Sequence, residues 1–117
     1  MKTLKIEYSK TVQKKLQILK KRLSTEFGEE YATREMRHIA DTLSNMSEFS
    51  APGKPIKTRF GVETNYRFLV ISPNIFILSI SDDNLLIEQM FNEKEDFIFK
   101  MFKISMRSKA SKRFWKE

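Results

Sequence analysis

The hydrophobic period changes once along this chain, and that change constrains the fold more than any other feature. Up to Met46 apolar residues recur at helical spacing, with Val12, Leu16, Leu19, Leu23 and Phe27 on one face and Ala32, Met36, Ile39, Leu43 and Met46 on a second. From Ile56 onward they come in short β-branched and aromatic runs bounded by turn residues, which is the pattern of strands. Residues 47–55 (SEFSAPGKP), with two prolines and a glycine, form the loop between the two regimes. A helical block followed by a β block in 117 residues implies one α+β domain, with helices packed on one face of a sheet.

Finer signals place the elements. Leu4, Ile6 and Tyr8 alternate with Thr3, Lys5 and Glu7, as in a half-buried strand. Ser9 or Thr11 supplies a cap for the first helix, and Gly28 is placed to end it in a left-handed conformation. Glu29, Glu30 and Glu35 start the second helix where its dipole favours negative charge, so the pair forms an antiparallel hairpin. Ile56–Phe60 is read as a weak strand, and Tyr66–Ile71, Ile75–Ile80 and Leu85–Phe91 follow as strands joined by tight turns. Asn92 with Glu95 three residues later resembles a capping box, predicting a short helix with Phe97, Met101 and Ile104 or Ser105 on one face. The fold expected is an N-terminal strand, an antiparallel helix pair, a mainly antiparallel four-strand meander and a short C-terminal helix. The domain is expected to span residues 1–106, with a basic, mobile tail at 107–117.

Composition removes several chemistries. Cysteine is absent and His38 is the single histidine, so thiolate metal sites and cysteine nucleophiles are excluded and a Ser-His-Asp triad is disfavoured. His38 falls roughly 100° from the Met36/Ile39 stripe and is read as a surface residue. Three glycines, at 28, 53 and 61, are too dispersed for a phosphate-cradling loop. Asp82-Asp83 is explained by turn chemistry. No cofactor and no metal is expected. The first residues lack a long apolar segment and no run approaches a membrane span, so a cytoplasmic protein is expected.

Charge is distributed unevenly. Residues 1–23 carry eight basic side chains and one acid, residues 24–99 seven basic and thirteen acidic, and residues 100–117 seven basic and one acidic. Two cationic ends with a net charge of +7 favour a polyanionic partner. Lys54, Lys57, Arg59 and Arg67 cluster on the loop and the first strands of the meander. On a strand Lys57 and Arg59 share a face. Arg67 lies in an apolar strand, read as the centre of the meander, so it needs either a carboxylate partner or a wet concave surface, where a guanidinium suits a phosphate.

The order of elements, together with KPIKTRF (54–60), NYRFLVI (65–71), IFILSI (75–80) and LLIEQMFNEKEDF (85–97), resembles the RelE/ParE superfamily of bacterial type II toxins. The resemblance spans about residues 3–104. It implies a toxin held silent by a cognate antitoxin. RelE-like members cut ribosome-bound mRNA with basic residues on the meander, whereas ParE-like members poison DNA gyrase. By that resemblance Arg67, Lys57 and Lys54, with Lys94 supplying a further cation, are the candidate catalytic set for a metal-independent mRNA endoribonuclease that inhibits translation. Arg59, Lys100, Lys103, Arg107 and Arg113 are the candidate RNA-binding residues. The chain departs from the cutters after its last strand, where Phe91, Asn92 and Glu93 stand, and at Phe99, where a catalytic tyrosine is expected. Glu63, Glu88 or Glu93 would have to serve as base, since 2′-hydroxyl attack needs one. A gyrase inhibitor without nuclease activity is the alternative. A further one is a non-toxic nucleic-acid-binding module that stacks Phe114 and Trp115 on bases.

Overall fold

A computed structural model describes residues 3–49 and 51–103. Strand β1 (Lys5–Tyr8) leads into helix α1 (Lys10–Phe27), followed after Gly28 by helix α2 (Glu29–Met46). Ser9 caps α1 as expected: its Oγ accepts from the Val12 amide at 3.1 Å. Gly28 ends α1 and opens α2 with φ 97° and ψ 160°. This is an extended positive-φ conformation open essentially to glycine alone, rather than the left-handed helical one that the sequence suggested.

The β half is β2 (Lys54–Pro55), α3 (Ile56–Phe60), β3 (Arg67–Ile71), β4 (Asn74–Ser81), β5 (Asn84–Asn92) and α4 (Phe97–Phe102). One five-stranded sheet has the order β1-β5-β4-β3-β2. The meander is antiparallel, and β1 returns from the N-terminus to pair parallel with β5, Lys5 opposite Asn84 and Tyr8 opposite Ile87. The central strand is therefore β4, and β3 lies next to the short edge strand β2. This corrects the reading of Tyr66–Ile71 as the centre. Both β3 and β4 are strongly apolar, and only the connectivity distinguishes them.

Two apolar clusters occupy opposite faces of the sheet. Val12, Leu19, Ile39 and Leu43 of the helix pair pack on Ile71, Phe76, Leu78, Leu85, Ile87 and Met90. On the other face Ile56, Val62, Phe97 and Ile98 pack on Phe68, Ile75, Ile77 and Phe91. A β-bulge keeps the two faces in phase: Ile77 pairs with Gln89 but Leu78 with Ile87, leaving Glu88 as the extra residue. Past the bulge the strand changes parity, so Met90 joins Leu85 and Ile87 beneath the helix pair. The bulge is pinned on both sides, since the Glu88 carbonyl accepts from Ser9 Oγ at 2.9 Å and its carboxylate accepts from Ser79 Oγ at 2.8 Å.

Two local expectations are corrected. Ile56–Phe60 is a short helix, with Pro55 at its cap and Gly61 in the left-handed region at φ 72°. Proline at the start and glycine just past the end are helix signals that outweigh the β-branched Ile56 and Thr58. Helix α4 is capped by Asp96, whose Oδ1 accepts from the Phe99 amide at 3.0 Å. The Asn92/Glu95 pair instead locks the preceding turn: the Asn92 amide donates to Glu95 Oε2 at 2.6 Å and the Lys94 amide to Asn92 Oδ1 at 2.9 Å. Phe97 and Ile98 are buried and Met101 half-buried, whereas Ile104, Ser105 and the tail at 107–117 lie outside the described residues. Among the described residues no helix is long and apolar enough to cross a membrane.

Candidate functional site

Strand alternation puts Arg67 on the same face as Leu69 and Ile71, the face that carries the helix pair. Its guanidinium reaches the loop that leaves α2. Nε donates to the Pro52 carbonyl at 2.6 Å and Nη2 to the Gly53 carbonyl at 3.1 Å. The cation is thus held by neutral carbonyls, paired with no carboxylate among the described residues and not open to solvent on all sides. Gly53 is required beside it: φ is +68°, and a Cβ there would come within 2.5 Å of the Phe68 carbonyl oxygen.

The other candidate cations diverge from Arg67. On helix α3 residues two apart point roughly 200° from each other, so Lys57 and Arg59 do not share a face. Lys57 forms an exposed ion pair with Glu63 at 3.3 Å. Arg59 lies over the Phe60 ring, 5.8 Å from its centroid, and that ring packs edge-on against Phe97. Helix α3 covers the sheet face opposite to the one Arg67 occupies. Lys54 is exposed on β2, beside Phe68. Lys94 lies past the end of β5, level with the end of β3, while Arg67 begins β3. Strand rise and spacing separate the two by on the order of 15 Å.

Lys100 pairs with Glu95, and Lys103 lies over the Phe99 ring at the left-handed end of α4. The Glu95 carboxyl is held below its ordinary range by the Lys100 ammonium and by the Asn92 amide. Arg107, Arg113, Phe114 and Trp115 lie outside the described residues. Of the candidate bases, Glu63 is taken up by Lys57, Glu88 is two strands from Arg67 at the bulge, and Glu93 is exposed in the turn after β5. His38 is exposed on α2, as expected.

A feature not found from the sequence is an apolar groove of about 490 Å³ at the β3 edge, lined by Met46, Phe49, Ala51, Gly53, Lys54, Phe68, Leu69 and Val70. Strand β2 pairs only with Arg67 and Phe68, so beyond them this edge of β3 has no strand partner among the described residues. Phe49 and Val70 stand 50% and 47% exposed there. The sequence signal was present in Tyr66–Ile71, apolar on both faces, but its meaning depended on which strand lies at the edge.

No protein-family model matches the chain, and no curated protein matches it at the level of sequence. Among solved structures it is similar to a chain described as "Chromosomal ParDE TA system from P. aeruginosa", with a TM-score of 0.63 and 12% sequence identity. The match covers 77% of this chain and 96% of that one. The resemblance drawn from the strand and loop motifs therefore holds at the level of the fold, which is ParE-like.

Proposed function

We propose that this chain is the toxin of a type II toxin–antitoxin system and that it acts by binding DNA gyrase rather than by cutting RNA. The observation that carries this reading is the dispersal of the meander cations. Arg67 ties down a loop on one face of the sheet, Lys57 and Arg59 ride on a helix over the other, and Lys94 is at the far end. Phosphodiester cleavage needs a base, an acid and cations converging on one phosphate, whereas an inhibitor that works by contact needs none of these. The ParDE neighbour supports the toxin class through its fold.

The cognate antitoxin fits the β3 edge. An extended segment added as a strand there would pair with free backbone groups and place apolar side chains in the groove, with an acidic residue opposite Lys54. One observation favours the RNA-cutting reading instead: Lys54, Lys57 and Arg59 are all exposed on β2 and α3, where each could meet an RNA backbone. Inducing the chain without its antitoxin, then mapping mRNA ends and gyrase-linked DNA breaks in the same cells, decides between the two. Gyrase-linked breaks without new mRNA ends are expected. New ends at ribosome-bound codons would reverse the assignment.

A further inference from the structure

Helix α1 carries six basic residues, Lys10, Lys14, Lys15, Lys20, Lys21 and Arg22, against one acid, Glu26. This arrangement works against the helix. Its first turn has no acidic residue and begins with Lys10, where the dipole disfavours a cation, and its last turn has no basic residue. Lys10 and Lys14 are like charges at i,i+4, a spacing that destabilises a helix. Helix α2 follows the usual rule, with Glu29 and Glu30 in its first turn and both signs along its length. A helix charged only for solubility would resemble α2. Local rules broken in this way are expected at functional or strained sites.

The geometry is linear. Lys10, Lys14, Gln17 and Lys21 lie within about 40° of one line on the outer face of α1, a stripe on the order of 16 Å long. All four are exposed, and Lys20 flanks them. None of these lysines is in an ion pair with any described residue. By contrast Lys15, on the inner side, is committed to the fold, donating to the Met90 carbonyl at 2.7 Å beneath the Phe91 ring. The stripe contains no aromatic residue, so it offers no platform for unstacked bases and suits a regular phosphate backbone instead. It belongs to the helix layer, on the face of the sheet opposite to α3 and α4. The β3-edge groove is lined by none of its residues, so groove and stripe can be occupied together.

We infer that the lysine stripe on α1 binds the phosphate backbone of duplex DNA without reading its sequence. Resting on the gyrase reading above, the duplex is the one that gyrase holds: the toxin would grip enzyme and DNA at once, adding an electrostatic contact to the protein–protein one. The pairing is one of charge alone, so it is sensitive to salt and indifferent to base composition.

The test is binding of the full chain to a 20-base-pair DNA duplex of arbitrary sequence, followed by anisotropy across a range of salt concentrations. Wild type is compared with Lys14→Gln/Lys21→Gln. Losing two phosphate contacts should weaken binding and make the log–log salt slope shallower by about 1.8, while the melting temperature stays level or rises. The cationic ends outside α1 are the same in both proteins, so the slope difference isolates the stripe. An unchanged slope overturns the inference, as does equal loss from Lys57→Gln/Arg59→Gln on the opposite face. Tighter binding to an RNA duplex of the same sequence overturns the assignment to DNA. Wild-type protein that binds the duplex through the stripe but leaves gyrase supercoiling uninhibited upholds the stripe and removes the gyrase reading.

Discussion

Arg67 shows how an arginine in an apolar strand can be satisfied by backbone carbonyls, with no carboxylate partner among the described residues. Two nitrogens of its guanidinium close the loop after α2 onto β3 through the Pro52 and Gly53 carbonyls. Hydrogen bonds to a charged group are worth about 1.5–3 kcal/mol, so Arg67→Ala should lower stability by about 2 kcal/mol and loosen the groove wall at Ala51 and Gly53. Arg67→Lys should recover only part of this, because an ammonium cannot reproduce the fixed fork. Thermal melts of the two variants check both statements, and equal melting of wild type and alanine variant would contradict them. That a lone guanidinium in an apolar strand is costly was legible in the sequence, which offered Arg67 either a carboxylate partner or a wet concave surface. That the partner is a pair of backbone carbonyls was not, because they lie in a loop whose path depends on the tertiary fold.

At the level of elements, legibility followed the length of the pattern. Helices α1 and α2 could be read because each repeats its apolar stripe over five turns, and Val12, Leu19, Ala32, Ile39 and Leu43 are indeed buried. Leu19→Ala should therefore cost about 2–5 kcal/mol in a denaturant titration. Phe27, the end of the α1 stripe, is 60% exposed and packs on Tyr31 of α2 at the hairpin tip instead of joining the core. Five-residue α3 was misread because so short a segment carries no period, leaving only Pro55 and Gly61 as evidence. The Asn92/Glu95 motif was real, but it braces a turn instead of starting a helix. With its pKa held below the ordinary glutamate value of 4.5, Glu95 adds stability that is full above about that pH and is lost as acid protonates the folded form. The pH dependence of melting below that point should thus be weaker in Glu95→Gln than in wild type.

Across the whole molecule the dominant quantity is charge. The net +7 is the sum of two cationic ends and an acidic middle, so an acidic partner meets attraction over a wide area before any contact forms. Association with the proposed antitoxin should therefore slow markedly between low and physiological salt, while its dissociation, if the apolar β3-edge groove holds it, should change far less. Stopped-flow measurements at several salt concentrations separate the two rates, and a salt-independent association rate would count against steering. The charge asymmetry was plain in the sequence. That the cations of α1 and those of α3 lie on opposite sides of the sheet was not, because only the fold decides which helix covers which face.

The parallel pairing of β1 with β5 also sets an order of events during synthesis. The seam joins positions as far apart as Ser9 and Glu88, which are 79 residues distant in the chain. As the chain leaves the ribosome, α1 and α2 emerge before β3, β4 and β5, with their apolar stripes ready but the strands that cover them still unmade. The first strand waits without a neighbour until β5 arrives. A truncated product that stops before Asn84 keeps the helix pair and lacks the seam, so it cannot close the sheet and leaves adhesive surface uncovered. The core thus closes only once β5 has been made, and synthesis interrupted before it yields a sticky fragment instead of a folded domain.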